Sequence, residues 1–417
     1  MAARKSVCGL GSLLPASTNT DGKLLVATRS LRSFADGVVS VLLASYLSAI
    51  GFSPVQIGAI VTGTLLGSAA LTLVVGLFGA RWHPRQVLFG ATLLMLATGL
   101  GFAGITAFWP LMVVAIVGTL NPSGGDVSVF LPTEQSVLPE TVAPQNRTAL
   151  FARYNLGAAL MGALGALVSG IPVALAHRQG WGLAAAERSG FVLYAAVAIV
   201  VAVFYSSLSP ALDVRHSRPD HVPARPTRRI VIHLAALFSL DSLGAGFVVR
   251  SLLVLWLFRR FHLSVETAGA IFFAGGLLSA FSLLAAGRLG ARIGLVKTMV
   301  YTHLPSNFFL VVAAFMPTAP LAVFFLLLRM LLGNMDAPVR QSYVMAVVPP
   351  HERAAAASIT GVPRSLASAT TPLLAGVLLN ATSFGWPLIC AGLVQSVYDV
   401  LLLVQFRSVK PPEELPV

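Results

Sequence analysis

The sequence has 417 residues, of which 56% are hydrophobic and only 10% are charged. A soluble globular domain carries about 25% charged residues, so the composition excludes a soluble globule and predicts a protein that crosses a membrane many times. The formal net charge of +13 then does not indicate nucleic-acid binding. We expect it to be a charge bias of the loops on one side of the membrane.

Twelve runs are long enough to cross a bilayer, which takes about 20 mostly apolar residues. They cover residues 27–50, 56–79, 87–107, 109–135, 149–176, 190–208, 230–257, 267–286, 297–316, 320–345, 354–380 and 384–406. A long polar interruption with five arginines and four prolines divides them into six and six. The predicted parts are a tail at 1–26, a six-helix bundle at 27–208, a linker at 209–229, a six-helix bundle at 230–407 and a tail at 408–417.

Lysine and arginine are distributed unevenly between the two sets of loops. If the N-terminus is inside, 21 of the 28 lie in inner loops, tails and span edges. The outer loops hold four of them, which are Arg178, Arg188, Arg259 and Arg260. Because positive residues accumulate on the cytoplasmic side, we predict cytoplasmic termini and a multi-pass protein of the cell membrane, the inner membrane if the source is a bacterium.

The two halves of the chain resemble each other in sequence. Residues 76–85, Gly-Leu-Phe-Gly-Ala-Arg-Trp-His-Pro-Arg, lie between the second and third runs. Residues 287–297, Gly-Arg-Leu-Gly-Ala-Arg-Ile-Gly-Leu-Val-Lys, lie between the eighth and ninth. Such repeats place a substrate site between the halves, near the middle of the membrane.

The chain resembles the major facilitator superfamily in its twelve spans, its basic central linker and this repeated loop. The resemblance implies an all-α fold of two pseudo-symmetric six-helix bundles, with the loop as a gate on the cytoplasmic side. The positions that match the family's loop are Gly76, Arg81, Arg85, Gly287, Arg292, Gly294 and Lys297. The family's aspartate is replaced by Ala80 and Ala291, so the chain departs from the acidic part of that latch.

The fourth run is interrupted by an unusual stretch, Asn121–Glu134, with prolines, two adjacent glycines and Asp126. Hydrocarbon tolerates a broken helix and a carboxylate only where they line a wet cavity. We therefore predict a transport site here. The alternative is a kinked helix whose aspartate is neutralised by a neighbour.

In the family that the chain resembles, spans 1, 4, 7 and 10 line the central cavity. Each of these spans holds one aspartate, and the four are Asp36, Asp126, Asp241 and Asp336. A buried carboxyl holds its proton more tightly, and a nearby arginine favours its release, so these groups are candidates for proton coupling. Two alternatives stay open: a pair with Arg32 for Asp36, and a capping or structural bond for Asp241.

Further polar residues lie on the same spans, on span 5 or on span 11. The substrate-binding candidates are Asn121, Tyr154, Asn155, Arg329, Asn334 and Arg364. Glu134 and Arg340 occupy matching inner positions in the two halves, and we predict a cytoplasmic gate pair between the bundles; two solvated edge charges are the alternative. We expect Arg250 to extend toward the outer membrane interface and Asp399 to have a structural role.

These features predict a secondary active transporter of a small organic solute that works by alternating access. Proton-coupled export of a drug or metabolite is the first prediction, and uptake by proton symport is the alternative. The sequence has neither a phosphate-binding Gly-rich Lys-Ser/Thr motif nor a metal-type Cys and His spacing, so we expect no cofactor and no enzyme activity.

Other classes fit the sequence less well. An intramembrane aspartyl protease needs Gly-x-Gly-Asp, whereas residues 123–126 read Ser-Gly-Gly-Asp. A receptor or assembly factor would leave the symmetric aspartates unexplained. The expected partners are the solute, protons and the lipid bilayer, without nucleic acid, and we expect a monomer.

Overall fold

The computed structural model describes residues 14–78, 82–123, 129–174, 180, 182–213, 225–348 and 353–406. Their regular structure is helical, with fifteen α-helices in the described part of the chain. The first seven are α1 (Thr20–Ala49), α2 (Pro54–Phe78), α3 (Pro84–Gly104), α4 (Phe108–Val117), α5 (Phe130–Val137), α6 (Arg147–Val168) and α7 (Leu183–Ser206). The other eight are α8 (Arg225–Gly246), α9 (Arg250–Phe261), α10 (Val265–Ile293), α11 (Leu295–Phe315), α12 (Ala319–Gly333), α13 (Asp336–Val347), α14 (Arg353–Ala381) and α15 (Trp386–Phe406).

By length and composition, ten helical segments of the described chain can cross a membrane. Two of the twelve predicted runs are not among them. The helix α1 is less apolar because it carries Arg29, Arg32 and Asp36, and α4 is only 10 residues long. The all-helical membrane fold is therefore confirmed, whereas the number of twelve spans stays a prediction.

Three of the predicted runs are divided into two helices each: α4 and α5, α8 and α9, and α12 and α13. Freed backbone groups in a membrane need partners from neighbouring helices. At the first break, Thr98 accepts a hydrogen bond from the Thr119 amide (3.2 Å) and Tyr194 donates one to the Thr119 carbonyl (3.1 Å). The predicted interruption of the fourth run is thus present, although Asp126 lies outside the described residues.

Within the first half, α1 packs on α6 and α7, and α3 packs on α7. Within the second, α8 packs on α14 and α15, and α11 packs on α12 and α15. The halves meet where α2 packs on α14, α6 on α10 and α1 on α9. Each of these three pairs joins one helix from each half, so the repeat seen in the sequence corresponds to two packed bundles.

Glycines allow two of these contacts to be close. A Cβ atom on Gly58 would lie 2.6 Å from the Pro372 carbonyl oxygen and 3.0 Å from Gly376 Cα. A Cβ atom on Gly269 would lie 2.5 Å from the Ala166 carbonyl oxygen. All five residues lie toward the ends of their helices that the charge distribution predicts to be extracellular, so the halves meet closely at that end.

Candidate functional site

A buried acid in the first half, Glu134 at 0% exposure, has a complete set of partners. Arg32 of α1 forms an ion pair with it and also lies 4.0 Å above the Phe130 ring. Tyr154 and Tyr205 each donate a hydrogen bond to the carboxylate at 2.6 Å. The Thr28 hydroxyl of α1 donates a longer bond of 3.4 Å. One negative charge thus meets one positive charge and three hydroxyls, which is a balanced arrangement suited to holding α1, α5, α6 and α7 together.

The second half contains a larger cluster of acids around Arg340 of α13. Arg340 donates a hydrogen bond of 2.8 Å to Asp241 of α8 and forms an ion pair with Asp336, one turn earlier on its own helix. Gln395 of α15 donates to the other oxygen of Asp241 at 3.0 Å. Two aspartates that the sequence assigned to separate cavity spans therefore share one arginine.

An imidazole joins a third acid to this cluster. His303 Nδ1 of α11 lies 3.1 Å from both oxygens of Asp399 on α15, and its Nε2 lies 3.7 Å from Asp241. Asn307, one turn after His303, donates a hydrogen bond of 2.9 Å to Asp399. The C-terminal cluster is defined here as Asp241, His303, Asp336, Arg340 and Asp399.

The charges of the C-terminal cluster do not balance. Three carboxyl groups, each at most 5% exposed, contact one permanent cation and one imidazole. An uncompensated buried charge costs several kcal/mol. Ionised carboxylates around Arg340 and a neutral imidazole would leave two such charges within the cluster. A proton on His303 or on a carboxyl group would offset one of them, and the nearby Arg364, which interacts electrostatically with Asp241 and Asp336, also reduces the imbalance. Asp336 Oδ1 also lacks a hydrogen-bond partner among the described residues.

Glu134 and Arg340 do not form the predicted pair between the bundles in this structure. Glu134 has its partners on α1, α6 and α7, and Arg340 has its partners on α8 and α13. Each side chain points into its own bundle, where buried groups of opposite charge surround it. The sequence offered two alternatives, a gate pair and two solvated edge charges. In this structure Glu134 and Arg340 are neither.

Arg250 lies at the first position of α9 and reaches the opposite half. It donates a hydrogen bond of 3.2 Å to Ser40 of α1 and lies 5.5 Å from the centre of the Phe272 ring. Asp36 is one turn before Ser40, is 9% exposed and interacts electrostatically with Arg250. The expectation that Arg250 extends toward the membrane interface is therefore wrong, because it meets polar groups between the halves.

Two other arginines lie inside the second bundle. Arg364 is half-buried and donates a hydrogen bond of 3.3 Å from Nε to the Ser242 hydroxyl. Asp241 and Asp336 interact electrostatically with it. Arg329 Nε is buried and has no hydrogen-bond partner among the described residues. Arg364 therefore lies beside the C-terminal cluster, and Arg329 lies on a helix of the same bundle.

The remaining candidates divide into structural and exposed positions. Asn121 is 2% exposed and accepts hydrogen bonds from Ser123 at the break of the fourth run. Asn334 donates to Ser279 at 2.7 Å and so joins α10 to the break between α12 and α13. Tyr154 is bonded to Glu134, and Asn155 is exposed. Their role in binding the solute stays a prediction.

The repeated loop is described in part. Gly76 lies near the end of α2, and Arg85 Nη2 approaches the Ser206 carbonyl at 3.4 Å; Arg81 lies outside the described residues. In the copy, Gly287 and Arg292 lie in the last two turns of α10. Gly294 has φ of +89°, a conformation that favours glycine, and it separates α10 from α11.

Several members of the site were not found from the sequence. His303 and Asn307 stand in the ninth apolar run, one helical turn apart, so they share a helix face. An imidazole and an amide on one face of a membrane span are a visible signal. Neither residue is an acid or an arginine, and span 9 is not one of the cavity spans, so the signal was missed.

Comparisons with known proteins agree with this architecture. A sequence model of the Major Facilitator Superfamily matches residues 25–255 and 234–416. The chain is 26% identical, over 428 aligned positions, to the uncharacterized membrane protein YJR124C of Saccharomyces cerevisiae, covering 93% of this chain and 94% of that protein.

Solved transporters have a similar structure. The D-xylose-proton symporter superposes with a TM-score of 0.74 at 15% identity, covering 94% of this chain and 98% of its own. The nucleoside transporter NupG gives 0.71 at 14% identity, with 93% and 100% covered. A bacterial homolog of the human lysosomal transporter Spinster, inward-facing and unoccupied, gives 0.70 at 14% identity, with 93% and 96% covered. At these identities the likeness concerns the fold alone.

Proposed function

The chain belongs to the major facilitator superfamily, and the solved proteins with a similar fold are transporters and not enzymes. We propose that it is a proton-coupled secondary transporter of a small organic solute. The observation that carries the proposal is the C-terminal cluster, in which three buried carboxyl groups share one arginine and one histidine. Intramembrane ionisable groups of this kind are typical of ion pathways and proton relays.

The positions of the cluster residues support coupling between protonation and movement. Asp336 and Arg340 lie in the first turns of α13, directly after the break at 334–335. Asp241 and Asp399 lie on α8 and α15, two other helices of the same bundle. A small rotation of α13 at the break would move Arg340 away from Asp241, and the carboxylate, still buried but without its arginine, would then favour a proton.

Alternating access requires that the halves close at one end while the other opens. The glycine contacts of α2 with α14 and of α6 with α10 lie at the predicted extracellular end. The separate partners of Glu134 and Arg340 fit a state in which the cytoplasmic ends are apart. A cell-membrane location with cytoplasmic termini is part of the proposal.

Two directions of transport remain. Export in exchange for protons is the first prediction from the sequence, and uptake together with protons is the alternative. The cluster supports either, because a proton site serves both. The test uses proteoliposomes and a solute identified by a binding screen. A proton gradient directed into the vesicles drives accumulation of the solute inside them if transport is symport, and loss of the solute from them if transport is exchange.

The coupling is tested with Asp241→Asn, Asp336→Asn and His303→Gln in the purified full chain. We expect gradient-driven transport to be lost, because the cluster can no longer exchange its proton. Exchange of labelled for unlabelled solute without a gradient should continue. Glu140→Gln, at an exposed acid outside the cluster, is the control. Full gradient-driven transport in the three cluster variants would contradict proton coupling through this cluster.

A further inference from the structure

Arg364 differs from the ion-paired arginines of the membrane domain. Arg32 and Arg340 each form an ion pair with a carboxylate, whereas the hydrogen bond of Arg364 among the described residues is to the Ser242 hydroxyl. A guanidinium group inside a membrane is costly without a negative partner. Its planar fork of five N–H donors matches carboxylate and phosphate oxygens, and a single bond to Ser242 leaves most of those donors available.

The backbone next to Arg364 is also polar. Pro363 lies inside α14, and a proline within a helix leaves the carbonyl four residues earlier without its usual donor. Membrane helices tolerate such a position where neighbouring groups or water can satisfy the carbonyl. Arg364, the next residue, is half-buried, so its side chain is partly accessible.

We propose that Arg364 binds the anionic group of the transported solute, which is therefore an organic anion carrying a carboxylate or a phosphate. This inference rests on the proposed transport function. The solute supplies the counter-charge that Arg364 lacks within direct contact, and Ser242 orients the guanidinium by holding Nε.

The anion site is electrostatically linked to the C-terminal cluster. The titratable and charged groups that act on Arg364 are Arg340, Asp241, Asp336 and Tyr398. His303 and Asp399 complete the set around Asp241. A solute anion cancels the positive field of Arg364 at these carboxyl groups, so the cluster retains its proton more firmly. Anion and proton therefore bind together, which is the linkage that the symport alternative requires.

The test measures thermal stabilisation of the purified full chain by matched pairs of probes. One arm compares carboxylates with their amides, such as benzoate with benzamide. The other compares phosphate monoesters with their alcohols, such as glycerol 3-phosphate with glycerol. We expect an anionic probe to raise Tm while its neutral partner does not, and the arm that responds identifies the anionic group.

Variants assign the effect to Arg364. Arg364→Gln should abolish the anion shift. Arg364→Lys keeps the charge and the fold but loses the planar fork, and should weaken binding about tenfold, the factor that corresponds to a net hydrogen bond of about 1.4 kcal/mol. Arg259→Gln removes an equal charge at an exposed position and should leave the shift unchanged.

Three results would overturn the inference: no anionic probe stabilises the wild type, neutral partners stabilise it equally, or Arg364→Gln retains the full shift. If Arg364→Gln cannot be purified, Arg364→Lys with undiminished anion affinity would overturn it too. Gradient-driven transport of the same neutral solute by the wild type and by Arg364→Gln would refute the anion site and leave the proposed function intact. Anion binding that depends on Arg364, with gradient-driven transport intact in the cluster variants, would refute only the coupling role of the C-terminal cluster.

Discussion

A carboxylate inside a membrane can be either fixed or exchangeable, and the chain contains both kinds. Glu134 accepts bonds from an arginine and two tyrosines, so each of its oxygens has a strong donor. Asp336 has one oxygen bound to Arg340 and one without a described partner. The difference lies in the partners of each acid, and it predicts a structural role for Glu134 and a coupling role for Asp336.

Replacing Glu134 by Gln should strongly destabilise the protein. The change leaves Arg32, at 2% exposure, without its carboxylate, and breaking a buried pair costs about 3–5 kcal/mol. Chemical denaturation in detergent measures the loss. The double replacement of Arg32 and Glu134 by Met should recover part of the stability, because no unpaired charge remains. If Glu134→Gln were as stable as the Glu140→Gln control, the ion pair of Arg32 and Glu134 would not stabilise the protein as predicted.

The sequence predicted several of the acids and arginines of the cluster but not which of them meet. Asp241, Asp336 and Arg340 were all identified from their places in the apolar runs. Their pairing depends on the rotation of α8 and α13 about their axes, which a single sequence does not specify. The expected contact of Arg340 with Glu134 followed from repeat symmetry. In the structure, Arg340 pairs instead with Asp241 and Asp336 of its own bundle.

Among the helices, α2 and α14 approach each other closely across the two halves, through Gly58 and Gly376. Residues without side chains allow helix backbones to touch. The same helix α14 has another glycine, Gly361, where a Cβ atom would meet nothing within 4 Å. The same substitution can therefore be compared at Gly376, which is crowded, and at Gly361, which is open, on one helix.

Gly376→Val should separate α2 from α14 at the predicted outer end and favour an outward-open state. A cysteine at Ser40, in a background without Cys8 and Cys390, should then react faster with a membrane-impermeant maleimide added outside. Gly361→Val should leave the rate unchanged. Equal rates in the two valine variants would show that the glycine contact does not hold the outer end closed.

For the whole molecule, the repeat predicted two bundles, and α2–α14, α6–α10 and α1–α9 are the contacts that join them. The sequence could not predict which end of the bundles is closed, because a transporter of this kind uses one sequence for both states. The closed end follows from backbone approaches such as Ala166 to Gly269, which depend on how the bundles are tilted.

A disulfide between Ala166→Cys and Gly269→Cys should lock the halves together at the outer end. Transport in both directions should stop on oxidation and return after reduction, because each cycle requires this contact to open. Oxidation and reduction should leave the transport of each single cysteine variant unchanged, whatever the Cβ atom added at Gly269 costs by itself. Transport that continues with the disulfide formed would mean that α6 and α10 do not separate during the cycle.

The divided fourth run has a consequence for how the chain enters the membrane. The helix α4 has 10 residues and α5 has 8, and each is too short to span a bilayer by itself. The free amide and carbonyl of Thr119 are satisfied by Thr98 of α3 and Tyr194 of α7, and α7 follows α5 by more than forty residues of sequence. Stable insertion of this region during synthesis should therefore wait until α7 has emerged from the ribosome, and nascent chains truncated before Leu183 should leave it accessible to protease.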